Sequence, residues 1–97
     1  MARYVALVNW TEGGVHNFAD TVDRAEEVKR LAQTMGGAVE SLLWTMGPYD
    51  LVVTAEFPDD ETVTAFALTV SSQGNVRTTT MRAFDGDEMR GIIGKLG

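Results

Sequence analysis

Three side chains in this sequence could carry acid–base chemistry: His16, Tyr49 and Asp50. His16 is the single histidine, and an imidazole titrates near enough to neutrality to serve as a general base. It falls in Gly14-Val15-His16-Asn17-Phe18, which reads as a loop, with Glu12 and Asp20 close by in sequence. One imidazole among flexible carboxylates lacks the spacing of a metal motif, so no metal is expected and an exposed loop histidine is the simpler reading. Tyr49 and Asp50 lie in Gly47-Pro48-Tyr49-Asp50, where proline presets φ and the short aspartate can bond backbone amides. Turn chemistry alone explains that tetrapeptide.

A second set of residues could hold an organic molecule. Trp10, Trp44 and Tyr4 could stack on a flat ring, and Arg77 and Arg82 could clamp a carboxylate bidentately. Glu56 on a central strand would need a cation, for which Arg82 or Arg77 is the candidate. Each has a structural counterpart: interface core for the tryptophans, a solvated strand edge for the arginines, a register-fixing ion pair for Glu56. Ser71-Ser72 shows no nucleophile elbow, and no GxGxxG or other phosphate loop appears, so no cofactor is expected.

The elements that must position these groups are short. Ninety-seven residues, 44% hydrophobic and 23% charged, fit one domain over 1–97 with an ordinary core. The absence of cysteine removes disulfides, thiol nucleophiles and Cys-ligated metals together. A net charge of -6 and a pI near 4.5 repel phosphate backbones and anionic headgroups, so neither nucleic acid nor a membrane is expected as a partner. MARYVALVNW lacks the pattern of a secretory signal, and the expected compartment is the cytoplasm.

Period-2 and period-3.6 patterns alternate along the chain. Arg3 to Trp10 reads as a strand apolar on both faces, with Tyr4, Ala6, Val8 and Trp10 opposite Val5 and Leu7. Val28, Leu31, Ala32 and Met35 make one helical stripe within Asp20 to Met35, stopped by Gly36-Gly37. Ala38 to Met46 and Leu51 to Phe57 form a hairpin about the Gly-Pro-Tyr-Asp turn. Pro58-Asp59-Asp60-Glu61 opens a helix striped by Val63, Phe66, Ala67 and Val70. Asn75 to Phe84 is a threonine-rich strand. From Asp87, the residues Met89, Ile92, Ile93 and Leu96 stripe a last helix that must dock on something. The order β-α-β-β-α-β plus a C-terminal helix, with right-handed crossovers, predicts a ferredoxin-like split βαβ: an α+β domain with a four-stranded antiparallel sheet in order 4-1-3-2.

Two helices cover one sheet face. Tyr4, Val8, Trp10, Leu42, Trp44, Met46, Val52 and Thr54 are assigned to the other, with Glu56, Arg82 and Thr80 beside them. So much apolar surface predicts a homodimer or larger homo-oligomer joined through that face, enclosing a volume for a small ligand.

G-P-Y-D on the hairpin, YVALVNWTEGG at the start, the helix with Arg24 ending in Gly36, and GNVRTTTMRAF near the end resemble the GYD-domain family over about Tyr4 to Leu96. The resemblance implies a prokaryotic protein of the dimeric α+β barrel type and prescribes no activity. Three functions follow as expectations. The first is a homo-oligomeric small-molecule-binding module. The second is a cofactor-independent enzyme (monooxygenase, isomerase or dehalogenase type) acting on a small organic substrate. The third is a purely structural assembly protein.

Overall fold

The computed structural model describes residues 1–97. Strand β1 (Ala2–Trp10) leads into a short helix α1 (Glu12–His16), a 3-10 turn (Phe18–Asp20) and helix α2 (Thr21–Thr34). Strands β2 (Ala38–Trp44) and β3 (Leu51–Phe57) make the hairpin; α3 (Asp60–Ser72), β4 (Val76–Ala83) and α4 (Gly86–Gly94) complete the chain. The sheet has the order β2-β3-β1-β4 with antiparallel neighbours, the expected split βαβ. Both long helices follow their predicted stripes. Ala32 of α2, with Val63 and Val70 of α3, is buried, and Phe57 beneath them is fully enclosed.

Register decides which face the helices cover. Tyr4 lies opposite Ala55 and Val8 opposite Leu51, so these strand residues point the same way, and all four are buried. Tyr4 joins Ala32, Ala55, Phe57 and Val63 in the core cluster. This corrects the sequence-based assignment: Tyr4, Val8 and Trp10 stand under the helices, and Val5 and Leu7 stand on the open side with Val52 and Thr54. On β1, two apolar faces had concealed the choice.

Strand β2 fails simple alternation for a different reason. Its register shifts between Val39 and Ser41, the mark of a β-bulge at Glu40. Val39 and Leu42 therefore both align with helix-side residues, Ala55 and Val53, while Ser41 and Leu43 align with Thr54 and Val52. Leu42 thus leaves the open face and Leu43 takes its place. Trp44 donates Nε1–H to Thr21 Oγ1 at 3.0 Å, which also ties it to the helix side. Met46 lies beyond the end of the strand and is 97% exposed.

The segment around His16 is a capped helical turn, a correction to the predicted loop. Thr11 Oγ1 accepts from Gly14 N at 3.1 Å, and Thr11 N–H donates to the Asn75 carbonyl. Gly14 permits this closeness, since a Cβ there would fall 2.0 Å from the Asn75 oxygen.

With principal extents of 52 × 30 × 18 Å, the molecule is one sheet and one helix layer thick. Helix α4 adds nothing to that layer. Its capping box is complete: Asp85 accepts from Glu88 N, and Glu88 accepts from Asp85 N. Its stripe of Met89, Ile92 and Ile93 is nevertheless exposed, as is Leu96, at 87%, just beyond its end.

Candidate functional site

Between the sheet and helices α2 and α3 lies a cavity of about 100 Å³ with sixteen hydrophobic residues among its twenty lining residues. Tyr4, Ala6, Val8 and Trp10 form its floor from β1, and Val53, Ala55 and Phe57 continue it on β3. Val28 comes from α2; Phe66, Ala67 and Val70 come from α3. Ala6 of β1, Ala25 of α2 and Ala67 of α3 are small residues of its wall, and their short side chains leave this space.

A groove of about 490 Å³ continues from the cavity between α3 and β4, sharing Tyr4, Val63, Ala67, Thr78 and Thr80 with it. Its polar wall is Asp60, Thr64, Ser71 and Arg82. The Tyr4 hydroxyl donates to Asp60 Oδ1 from beneath the first turn of α3. Burial, reinforced by that carboxylate, pushes the Tyr4 phenol up to about 12. It is therefore a fixed donor at neutral pH, unsuited to act as a base. Arg82 packs its guanidinium 4.5 Å from the Phe84 ring centroid and 5.7 Å from that of Tyr4, and it pairs with Glu88 at 3.6 Å.

At the opposite end, Arg24 lines the cavity beside Trp10 and Thr21. Its Nη1 donates to the Asn17 carbonyl at 2.7 Å, while Nη2 is buried without a hydrogen-bond partner.

The residues singled out from the sequence are divided among different places. Trp10 and Arg82 line the cavity and the groove respectively. Trp44 is held to Thr21 outside the lining. Glu56 and Arg77 belong to the open face. The Glu56 partner is Arg3, at 3.9 Å, rather than Arg82 or Arg77. Arg3 also lies 3.6 Å from Glu40, 3.4 Å from Asp85 and 3.5 Å from Glu88; the hydrogen bond to Asp85, foremost, raises its already high pKa.

His16, Tyr49 and Asp50 are not assembled into a catalytic group. His16 is exposed at the end of α1. Asp50 accepts the Trp10 backbone N–H at 2.8 Å and donates its own N–H to Val8, while the Tyr49 carbonyl accepts from Thr45. Asp50 thus clips the hairpin to the end of β1, a longer-range bond than the local turn contact expected. Asp60 and Arg24 were not among the residues singled out as binding groups, and Tyr4 was expected to stack on a ligand rather than to bond Asp60. Tyr4 and Asp60 are 56 residues apart, and no local pattern joins them.

The GYD-domain family model matches residues 4–93, with Gly47, Tyr49 and Asp50 at the hairpin. The chain belongs to the GYD-domain family. A relative from Thermus thermophilus, described as a glutamine synthetase and cystathionine beta-lyase binding protein, is 31% identical over 84 residues, 86% of this chain and 88% of the relative. The crystal structure of TTHA0845, also from Thermus thermophilus, overlays at a TM-score of 0.57 and 22% identity, covering 89% of this chain and 96% of that one. That likeness carries the fold of this GYD-domain protein. No helix of the chain is long and apolar enough to cross a membrane.

Proposed function

We propose that this protein is a cytoplasmic, homo-oligomeric binding module that accepts a small organic molecule in the cleft between its sheet and helices. The observation that carries this reading is the cleft itself: mostly apolar walls with a few polar groups, Thr21 and Arg24 at one end and Thr78 and Thr80 along β4, the usual anatomy of a ligand site. The cleft lies on the opposite side of the sheet from the dimer-enclosed volume expected from the sequence. Oligomerisation has its own support. Val5, Leu7, Val52, Leu43 and Met81 share the uncovered face, and Leu43 is 63% exposed. Burying that face against a second copy removes it from water.

A second reading is an adaptor for another protein. It is favoured by the name of the Thermus relative and by the exposed apolar stripe of α4, which suits a groove on a partner. Native mass spectrometry of protein purified from its own host tests both readings. A dimer or larger ring carrying a stoichiometric small-molecule mass is the expected result. A lone chain with no added mass, and no gain in melting temperature from any apolar compound, would overturn the first reading. A stoichiometric complex with an unrelated polypeptide would favour the second.

A further inference from the structure

We infer that the ligand is a neutral hydrocarbon of about four or five carbons, held whole in the cavity with no head group and no hydrogen bond. This rests on reading the cleft as a ligand site and adds the chemistry that would occupy it.

The wall excludes polar ligands. Almost all the surface that faces the cavity is carbon, and sixteen of the twenty residues around it are hydrophobic. The other four, Thr21, Arg24, Thr78 and Thr80, are engaged elsewhere. Thr21 Oγ1 accepts from the Trp44 indole at 3.0 Å, and the Thr78 and Thr80 hydroxyls bond each other at 3.1 Å. Arg24 donates through Nη1 to the Asn17 carbonyl, and its Nη2, buried in the protein, offers the cavity no surface. Asp20, Asp23 and Glu27 attend its charge on the outer side. The Tyr4 hydroxyl is likewise taken, by Asp60. A carboxylate, an ammonium or a hydroxyl would leave its water here and find no partner, whereas a hydrocarbon has none to lose.

The dimensions set the size. A dry aliphatic cavity of about 150 Å³ takes one benzene. By proportion, about 100 Å³ takes roughly four carbons, and the groove that opens past Ala67 gives a fifth somewhere to go. Ala6 and Val53 bear witness to the space: they pair mid-strand on the covered face, yet each keeps part of its surface accessible. Tight packing would have sealed them as it seals Phe57. Water gains little in such a place, because it needs polar partners that this wall does not offer.

NMR titration of the whole protein with cyclopentane, cyclopentanol and butanoate tests the assignment, read from the methyl signals of Val53 and Val70 in the cavity wall. Cyclopentane should saturate one site per chain and move both signals. Cyclopentanol should bind about tenfold more weakly or worse, and butanoate should move neither signal. Ala67→Leu puts bulk into the cavity and should weaken cyclopentane binding about tenfold or more. Ala6→Val does the same from the floor if the leucine variant does not fold. Cyclopentanol or butanoate binding as tightly as cyclopentane would overturn the hydrocarbon assignment and leave the cleft as a ligand site. Cyclopentane that instead moved the Leu43 and Met81 signals of the uncovered face, or that bound a folded, filled variant unchanged, would lie outside the cleft and overturn the inference. Failure of all three compounds to shift Val53 and Val70 at millimolar concentration would overturn it too, and would count against the cleft reading as well.

Discussion

The two faces of the sheet are built from the same four strands and meet opposite fates. On the covered face, Tyr4, Val8, Leu51, Ala55 and Phe57 are nearly sealed from water by α2 and α3. On the uncovered face, Val5, Leu7 and Val52 are half-buried, and Leu43 and Met81 are exposed. The covered face is also where space has been left. Alanines at the helix–sheet contacts open a cavity that larger side chains would fill, and its lining is mostly apolar. The uncovered face is continuous and fenced by charge at one end, where Arg3 meets Glu40, Glu56, Asp85 and Glu88. One face encloses a cavity beneath its helices; the other is left broad, apolar and uncovered.

Substitutions can separate these roles. Phe57→Ala strikes the centre of the covered face and should lower unfolding stability by about 3–5 kcal/mol, read from denaturant melts. A loss below about 1 kcal/mol would mean that the helices pack much more loosely over the sheet. Leu43→Glu on the uncovered face should leave the stability of the isolated chain within about 0.5 kcal/mol and weaken self-association more than tenfold, measured by sedimentation. Unchanged association would move the interface elsewhere, with the α4 stripe the next surface to try.

The pH dependence sharpens the same contrast. The Tyr4 phenol rises from 10.0 to about 12 in the folded chain, so the unfolded chain releases this proton first as pH increases. The contribution of Tyr4 is complete below pH 10 and is lost as pH rises to about 12. Stability should fall across that window, and Tyr4→Phe should flatten the fall. At the acid end the sign reverses. Asp85, held below the usual carboxylate range first by the Glu88 amide, and Asp59, lowered first by the Thr62 hydroxyl, stabilise the chain above their ordinary values. That contribution disappears as pH drops through their lowered ones.

Trp44→Ala should lower stability by about 1 kcal/mol, because the ring is 42% exposed and chiefly forfeits its bond to Thr21. It should leave self-association intact, since Trp44 points away from the uncovered face; a shift in sedimentation would return it to the interface. His16→Ala is the smallest change expected, within about 0.5 kcal/mol, because the side chain is exposed at the end of a short helix. A sharp drop in melting temperature would show instead that α1 depends on it.

The strands, the long helices and their stripes were legible from period alone, because a 3.6-residue repeat of Val63, Phe66, Ala67 and Val70 has one geometric solution. The side of the sheet was not. Tyr4 and Val5 belong to equally greasy faces, and only pairing with Ala55 and Thr54 tells them apart. The bulge at Glu40 was also invisible, since one inserted residue reverses the alternation after it without leaving a glycine or proline as a sign. Of the residues that line the cavity and the groove, Trp10 and Arg82 stood out in the sequence by type, whereas Arg24 stood out only through the family resemblance. Its distinction is a buried nitrogen, and burial belongs to the assembled layers.

Local preference and spacing were enough to dictate the element order, the hairpin turn and the split βαβ connection, because each depends on neighbours within a few residues. Strand register, the bulge, the Tyr4–Asp60 contact and the cleft beneath the helices came only with the folded chain. Each depends on groups far apart in sequence, whose meeting is settled by how the layers pack rather than by what any short segment prefers.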